Sequence, residues 1–235
     1  IAALRSEACA VEVAMRCATT AFQVDHFRAR LEDLPHRPAA MPVMDGADID
    51  LDPKDLYGSL LFQGGCFQRL RRYQVLTAKR CRVEIAGADL TWFGAFLPEQ
   101  RLLGDPGIRD AALHAIQACI PHRRLLPLAV GQIWPGVLAG AGPWYAQAVE
   151  RRQDGDLFVY DMAILDAAGH EVERWEELTF KAISTHQPPA WHQALLGPYL
   201  ERRLEELMGG VEIGVRLDLE SLAVLPRAAR RPDGK

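Results

Sequence analysis

Residues 104–122, GDPGIRDAALHAIQACIPH, constrain the fold more than any other stretch of this chain. Read as a helix from about Asp110, the segment carries Ala111, Ala112, Leu113, Ala115, Ile116, Ala118, Cys119 and Ile120 and keeps almost no polar face. A helix that is apolar nearly all round has to be covered nearly all round, so the remaining chain must wrap it. Asp110 and His114 interrupt the pattern and, four residues apart, lie on one side of the helix. A carboxylate and an imidazole on one stripe of a buried helix point to chemistry. Each also has a purely structural reading. Asp110 is a good helix N-cap after the Pro106-Gly107 turn, and His114 could be a core histidine bonded to a backbone carbonyl.

The rest of the sequence supplies the strands that do the wrapping. VEVAMRC (11–17) and FQVDHFRARL (22–31) alternate apolar and polar and are separated by a small polar turn. Residues 35–55 hold four prolines and no sustained period, and read as a connection over the surface. LYGSLLFQGGCFQRL (56–70) reads as a short helix or turn entering a strand, and RYQVLTAKRCRVEIA (72–86) as a strand pair or one bent strand. LLPLAVGQIWPGV (125–137) is extended and stops at Pro135-Gly136. WYAQAVERR, DLFVYDMAILD and HEVERWEELTFKAIS are three long strands joined at Gln153-Asp154-Gly155 and Ala167-Ala168-Gly169, both hairpin signals. PYLERRLEELM (198–208) is an amphipathic helix, and AARRPDGK (228–235) has the composition of a linker. Long antiparallel strands curved around one apolar helix make the hot-dog arrangement, an α+β fold.

Composition narrows the function. At 235 residues the chain holds one large domain or two small ones, and a formal charge of −4 gives no general attraction to nucleic acid. No apolar run approaches a membrane span, and the first residues lack the pattern of a signal peptide. Five cysteines (Cys9, Cys17, Cys66, Cys81, Cys119) without a CxxC pair predict reduced thiols in a cytoplasmic protein. Cys119 and His122 resemble half of a metal pair with no second half, so no metal is expected. QGGCF lacks the Lys-Ser/Thr of a phosphate loop. Trp134, Trp144, Tyr160 and Trp175 read as strand-packing aromatics, and Arg69, Arg71 and Arg72 as a solvated face.

LYGSLLFQGGCFQRL, GIRDAALHAIQ and LLPLAVGQIWPG, in that order, resemble the second half of a polyketide synthase dehydratase domain, a family that folds as a double hot-dog. DAALH is similar to that family's Asp-x-x-x-Gln/His motif. QGGCF is similar to its Tyr-Gly-Pro-x-Phe motif, with Gln63 for the tyrosine and Gly65 for the proline. FQVDHFRA, GDLFVYDMAILDAAGHEVERWEELTFKAIS and PYLERRLEEL look most like the dehydratases of iterative enediyne synthases, in which a phosphopantetheinyl transferase domain follows. The family's catalytic histidine motif, His-x-x-x-Gly-x-x-x-x-Pro, is missing. His26 has Pro35 at the right distance but Arg30 where glycine is required. The chain is therefore expected to begin after the histidine-bearing segment.

The resemblance implies dehydration of a 3-hydroxyacyl thioester. Asp110 would be the acid that protonates the leaving hydroxyl, His114 its orienting partner, and the upstream histidine the base. The apolar surroundings expected for Asp110 would favour its protonated form. Gln63, Gly64, Gly65, Phe67, Leu126 and Pro127 would line the acyl tunnel, the glycines by allowing close backbone packing. No cofactor would be bound, because the phosphopantetheine arm belongs to the acyl carrier protein. The carrier and neighbouring synthase domains are the implied partners, with Arg69, Arg71 and Arg72 as an alternative contact for them, and a homodimer is the family's habit. Residues 1–50 would hold the end of a first, incomplete hot-dog plus a linker, 51–209 the second hot-dog, and 210–235 a linker tail. Two other readings stay open: a product-template-like cyclase, and a hot-dog that binds an acyl chain or holds a synthase together without catalysis.

Overall fold

The computed structural model describes residues 2–5, 10–33, 36–88, 104–187 and 191–208. Cys9 and the predicted tail 210–235 lie outside the described residues. The chain divides into two compact units, Ile1–Ala40 and Met41–Lys235. The first holds β1 (Ala2–Arg5), β2 (Val11–Met15) and β3 (Phe27–Leu31), an antiparallel sheet in that order. The second predicted strand, 22–31, is thus only half a strand. Ala21 and Phe22 adopt positive φ (50° and 58°) after a short 3-10 turn, Ala18–Thr20, which keeps the chain from extending before Phe27.

The second unit is a hot-dog. Its sheet is formed by β4 (Leu70–Leu76), β5 (Arg80–Ile85), β6 (Arg123–Ala129), β7 (Gln132–Trp134), β8 (Trp144–Asp154), β9 (Leu157–Leu165) and β10 (Glu171–Thr185). The order is β4-β5-β8-β9-β10-β6, antiparallel throughout, with β7 also on β10. The sequence 72–86 is therefore a hairpin. β10 serves two partners because it bends. Its register against β9 shifts between Trp175 and Leu178, and Glu177 sits in the bulge at φ 53°. Residues before the bulge pair with β7 and residues after it with β6.

α1 (Pro106–Ala115) lies against β5 and β8 and continues into a 3-10 turn, Ile116–Cys119. Gly107, Ile108, Ala111, Ala112 and Ala115 form its buried face, so the apolar character of the segment is that of a central core helix. The helix begins four residues before the expected Asp110. Asp105 is its N-cap: the carboxylate accepts from Gly107 N–H at 2.8 Å, and Pro106 takes the first helical position. Asp110 is an interior residue, released from capping.

Buried charges hold this helix in place. Arg69, expected on a solvated face, is 3% exposed. Its guanidinium donates to Asp105 at 2.9 Å and to the Cys66 carbonyl at 2.6 Å, tying the entrance of β4 to the helix cap. Arg71 and Arg72 are exposed as expected, Arg72 pairing with Asp48 and Glu84. Arg109 meets the fully buried Glu173 on β10 through two hydrogen bonds, and Trp175 donates to the same carboxylate at 2.7 Å. Trp144 and Tyr160 belong to the core. α2 (Leu196–Met208) closes the unit, with Glu201 and Arg202 buried beneath it.

His122, at the turn into β6, packs edge-on against Tyr199 of α2, near Glu206, Arg123 and Arg203. Burial lowers its pKa below the ordinary 6.5, which Glu206 only partly offsets. The unfolded chain then binds the proton more readily, so this contribution to stability is present above pH 6.5 and is lost as pH falls through the lower folded value. Urea unfolding followed from pH 7.5 to 5 (roughly the histidine range) is expected to show falling stability, with a shallower slope in His122→Phe. An unchanged slope would exclude His122 as its source.

Candidate active site

The helix periodicity that buries one face of α1 turns another toward a pocket. Asp110, Leu113, His114 and Gln117 follow each other at i, i+3, i+4 and i+7 and all line it. The pocket has a volume of about 90 Å³, and Leu60, Leu61, Phe62, Gln63, Leu125, Pro127 and Phe180 form the rest of its wall. Most of this wall is apolar, and the carboxylate and the imidazole are its ionisable groups.

His114 Nδ1 lies 3.1 Å from Asp110 Oδ2. The imidazole is buried, at 5% exposure, whereas the Asp110 side chain is 35% exposed. Asp110 is therefore a half-buried wall residue, less enclosed than its alanine neighbours suggested, because it faces the pocket and they face the sheet. The other nitrogen of His114, Nε2, is 3.2 Å from the hydroxyl of Tyr57, which itself accepts the backbone N–H of Leu70 at 3.2 Å. A backbone carbonyl partner for His114, the structural alternative, is not what the ring contacts. Burial pushes the Tyr57 phenol above its ordinary pKa, so it holds its proton. Tyr57 lies just past a 3-10 turn, Pro53–Leu56, whose cap Asp52 accepts from Lys54 N–H.

Of the predicted tunnel residues, Gln63 and Pro127 line the pocket, whereas Gly64, Gly65, Phe67 and Leu126 do not. Leu126 is on the outer face of β6, opposite Leu125 and Pro127, as strand alternation requires. Gly64 and Gly65 have nothing within 4 Å of where a Cβ would stand, so they do not serve close packing; Gly65 is needed for its φ of 56° in the turn Gly65–Phe67. Close approach occurs instead at Gly107, where a Cβ would stand 2.6 Å from Arg69 Nε, and that guanidinium is pinned by Asp105 and Cys66. Gly107→Ala is expected to destabilise the domain by about 1–3 kcal/mol despite alanine's better helix propensity. Chemical denaturation measures it, and a stability equal to wild type would show that Arg69 gives way.

Sequence reasoning missed Tyr57 and Gln117. The Gln117 amide donates to the carbonyls of Ile120 (3.1 Å) and Arg123 (2.7 Å) and accepts from Leu125 N–H (2.9 Å), which fixes β6 to the end of the helix. Its i+7 spacing from Asp110 was the available signal. No spacing links Tyr57 to His114. Among the described residues no cluster of three or more metal-ligating side chains occurs, and no helix is long and apolar enough to cross a membrane.

A helix clasped by an antiparallel sheet, with an aspartate and a histidine facing an apolar pocket, defines a hot-dog fold with a candidate acid in its pocket wall. The chain belongs to the polyketide synthase dehydratase N-terminal domain family, whose model matches residues 35–190. Among solved structures it is similar to the dehydratase domain of RzxB from Pseudomonas fluorescens (TM-score 0.60, 17% identity, 76% of this chain and 66% of that one). It is also similar to the dehydratase domain of PpsC from Mycobacterium tuberculosis in complex with C12:1-CoA (TM-score 0.55, 18% identity, 76% and 66%). A third is the dehydratase domain of a mycocerosic acid synthase-like synthase (TM-score 0.55, 17% identity, 77% and 66%). At these identities the likeness is one of fold, and the chain spans 66% of the length of these domains. No curated protein matches it.

Proposed function

We propose that this chain supplies the acid for dehydration of a 3-hydroxyacyl thioester, carried on an acyl carrier protein, to the enoyl thioester. The observation that carries the reading is the Asp110–His114 pair, 3.1 Å apart in the wall of an apolar pocket. Hydroxide leaves poorly, so the C3 oxygen must gain a proton as the C3–O bond breaks and the C2–H electrons form the double bond. Asp110 gives that proton, His114 orients the carboxyl, and the apolar wall receives the acyl chain. A base must take the C2 proton. The resemblance gives that role to the histidine of the His-x-x-x-Gly-x-x-x-x-Pro motif, which these 235 residues do not contain. The acyl-CoA in the PpsC dehydratase complex supports a thioester as ligand class.

Family membership and the order of the motifs favour a synthase setting, with the carrier protein and adjoining domains as partners and the phosphopantetheine arm arriving on the carrier. The strand segments FQVDHFRA and GDLFVYDMAILDAAGHEVERWEELTFKAIS favour the enediyne subgroup. Residues 51–209 are then the second hot-dog and 1–50 the end of the first. The test is loss of one water from a 3-hydroxyacyl carrier protein, followed by mass spectrometry, with a protein carrying the histidine motif and its Asp110→Asn variant. No water loss by the parent, or equal turnover by both, overturns the reading.

A further inference from the structure

We infer that Tyr57 is a positioning residue that sets the tautomer of His114 and thereby decides which oxygen of Asp110 carries the acid proton. The inference rests on the proposed role of Asp110 but is read out without substrate. Three groups form one chain: the Tyr57 hydroxyl, 3.2 Å from His114 Nε2, and His114 Nδ1, 3.1 Å from Asp110 Oδ2. The hydroxyl has already accepted Leu70 N–H at 3.2 Å, which orients it and leaves its own proton in need of an acceptor. His114 Nε2 is that acceptor when its lone pair is exposed. The ring is then neutral with its hydrogen on Nδ1, and Nδ1–H donates to Asp110 Oδ2.

The consequence reaches the reacting atoms. A carboxyl oxygen that accepts Nδ1–H is a poor place for a proton of its own, because two hydrogens would then face each other across 3.1 Å. The acid proton therefore sits on Oδ1, the oxygen away from the imidazole. Were the tautomer reversed, with hydrogen on Nε2, bare Nδ1 would draw the Asp110 proton to Oδ2 and hold it there, away from the substrate hydroxyl. A tyrosine that touches neither substrate nor Asp110 thus selects between a useful and a trapped proton. Hydrogen-bond partners that fix a histidine's tautomer in this way work through the ring they hold.

Nitrogen-15 NMR of histidine-labelled protein distinguishes the tautomers directly. In the neutral ring, wild type is expected to show the hydrogen on Nδ1, and Tyr57→Phe to show a substantial Nε2–H population. With a 3-hydroxyacyl carrier-protein substrate, Tyr57→Phe should lower kcat by about 10- to 100-fold with KM little changed. In a His114→Gln background the same change should add almost nothing, since glutamine has no tautomer to set. Hydrogen on Nε2 in the wild type, an unchanged tautomer in Tyr57→Phe, or an undiminished effect in the His114→Gln background would each overturn the proposal. If Tyr57→Phe fails to fold, hydrogen on Nε2 in the wild type still overturns the proposal. Should Asp110→Asn turn over as fast as wild type while the tautomer behaves as expected, the dehydration reading fails and the hydrogen-bond chain stands.

Discussion

Asp110→Asn is expected to lower kcat on a 3-hydroxyacyl carrier-protein substrate by about 10²–10⁴-fold, the usual contribution of a positioned general acid. That is about 3–5 kcal/mol of transition-state stabilisation. Asparagine is nearly the same size, and its amide can still hydrogen-bond His114 Nδ1, so the pocket wall and the imidazole stay where they are. What is lost is a proton acidic enough to follow the departing hydroxyl. KM should therefore change much less than kcat. The fold should be indifferent, because the helix is capped by Asp105 through Gly107 N–H at 2.8 Å and Asp110 makes no cap. Unfolding and turnover measured on the same preparation separate the two effects. A variant that loses activity in step with stability would place Asp110 in the scaffold instead.

Arg202→Ala is expected to cost about 3–5 kcal/mol of stability, the typical penalty for stranding one member of a buried ion pair. Arg202 is 2% exposed and donates to Glu150, to Gln153 at 3.1 Å, to the Tyr160 hydroxyl at 3.0 Å and to the carbonyl of Ala78. Next to it, Glu201 accepts the N–H of the same Ala78 at 2.6 Å. Adjacent residues of α2 thus grip both backbone groups of one residue in the β4–β5 turn and close the sheet at that end. Burial opposes the Arg202 charge, and the hydrogen-bonded Glu150 carboxylate outweighs it, holding the guanidinium above its ordinary pKa. A melting temperature lowered by roughly 6–20 °C is expected. Glu150→Leu together with Arg202→Met should recover much of the loss, since paired apolar groups leave no charge stranded. A single variant as stable as wild type would show that the clamp is ornamental.

How much of this was legible in the sequence depended on range. The burial of residues 111–120 was legible because a helix without a polar face needs no knowledge of its neighbours to be placed inside. The strands from Trp144 to Thr185 were legible from alternation, and the turns at Gly155 and Gly169 from their local chemistry. The start of α1 was misread because two aspartates five apart could each cap it; Asp105 immediately before a proline was the stronger signal, since proline suits the first helical position. The stripe Asp110–Leu113–His114–Gln117 follows from helical spacing alone, yet only its first and third members stood out as chemical.

Pairings between distant segments were not legible. Arg69 looked like one of three surface arginines until Asp105, 36 residues on, was brought against it. Tyr57 lies 57 residues from His114, and nothing local to either announces the contact. The bend in β10 at Glu177 likewise depends on the facing Asp161, whose carboxylate accepts Glu177 N–H at 3.1 Å, and not on any glycine or proline in the strand.

Because Asp105 caps the central helix through Gly107 N–H, residue 110 carries no part of that cap. On the role proposed for Asp110, a single base change there would remove the acid and leave the helix cap in place. Chains with and without that acid would begin the helix alike and differ at one carboxyl.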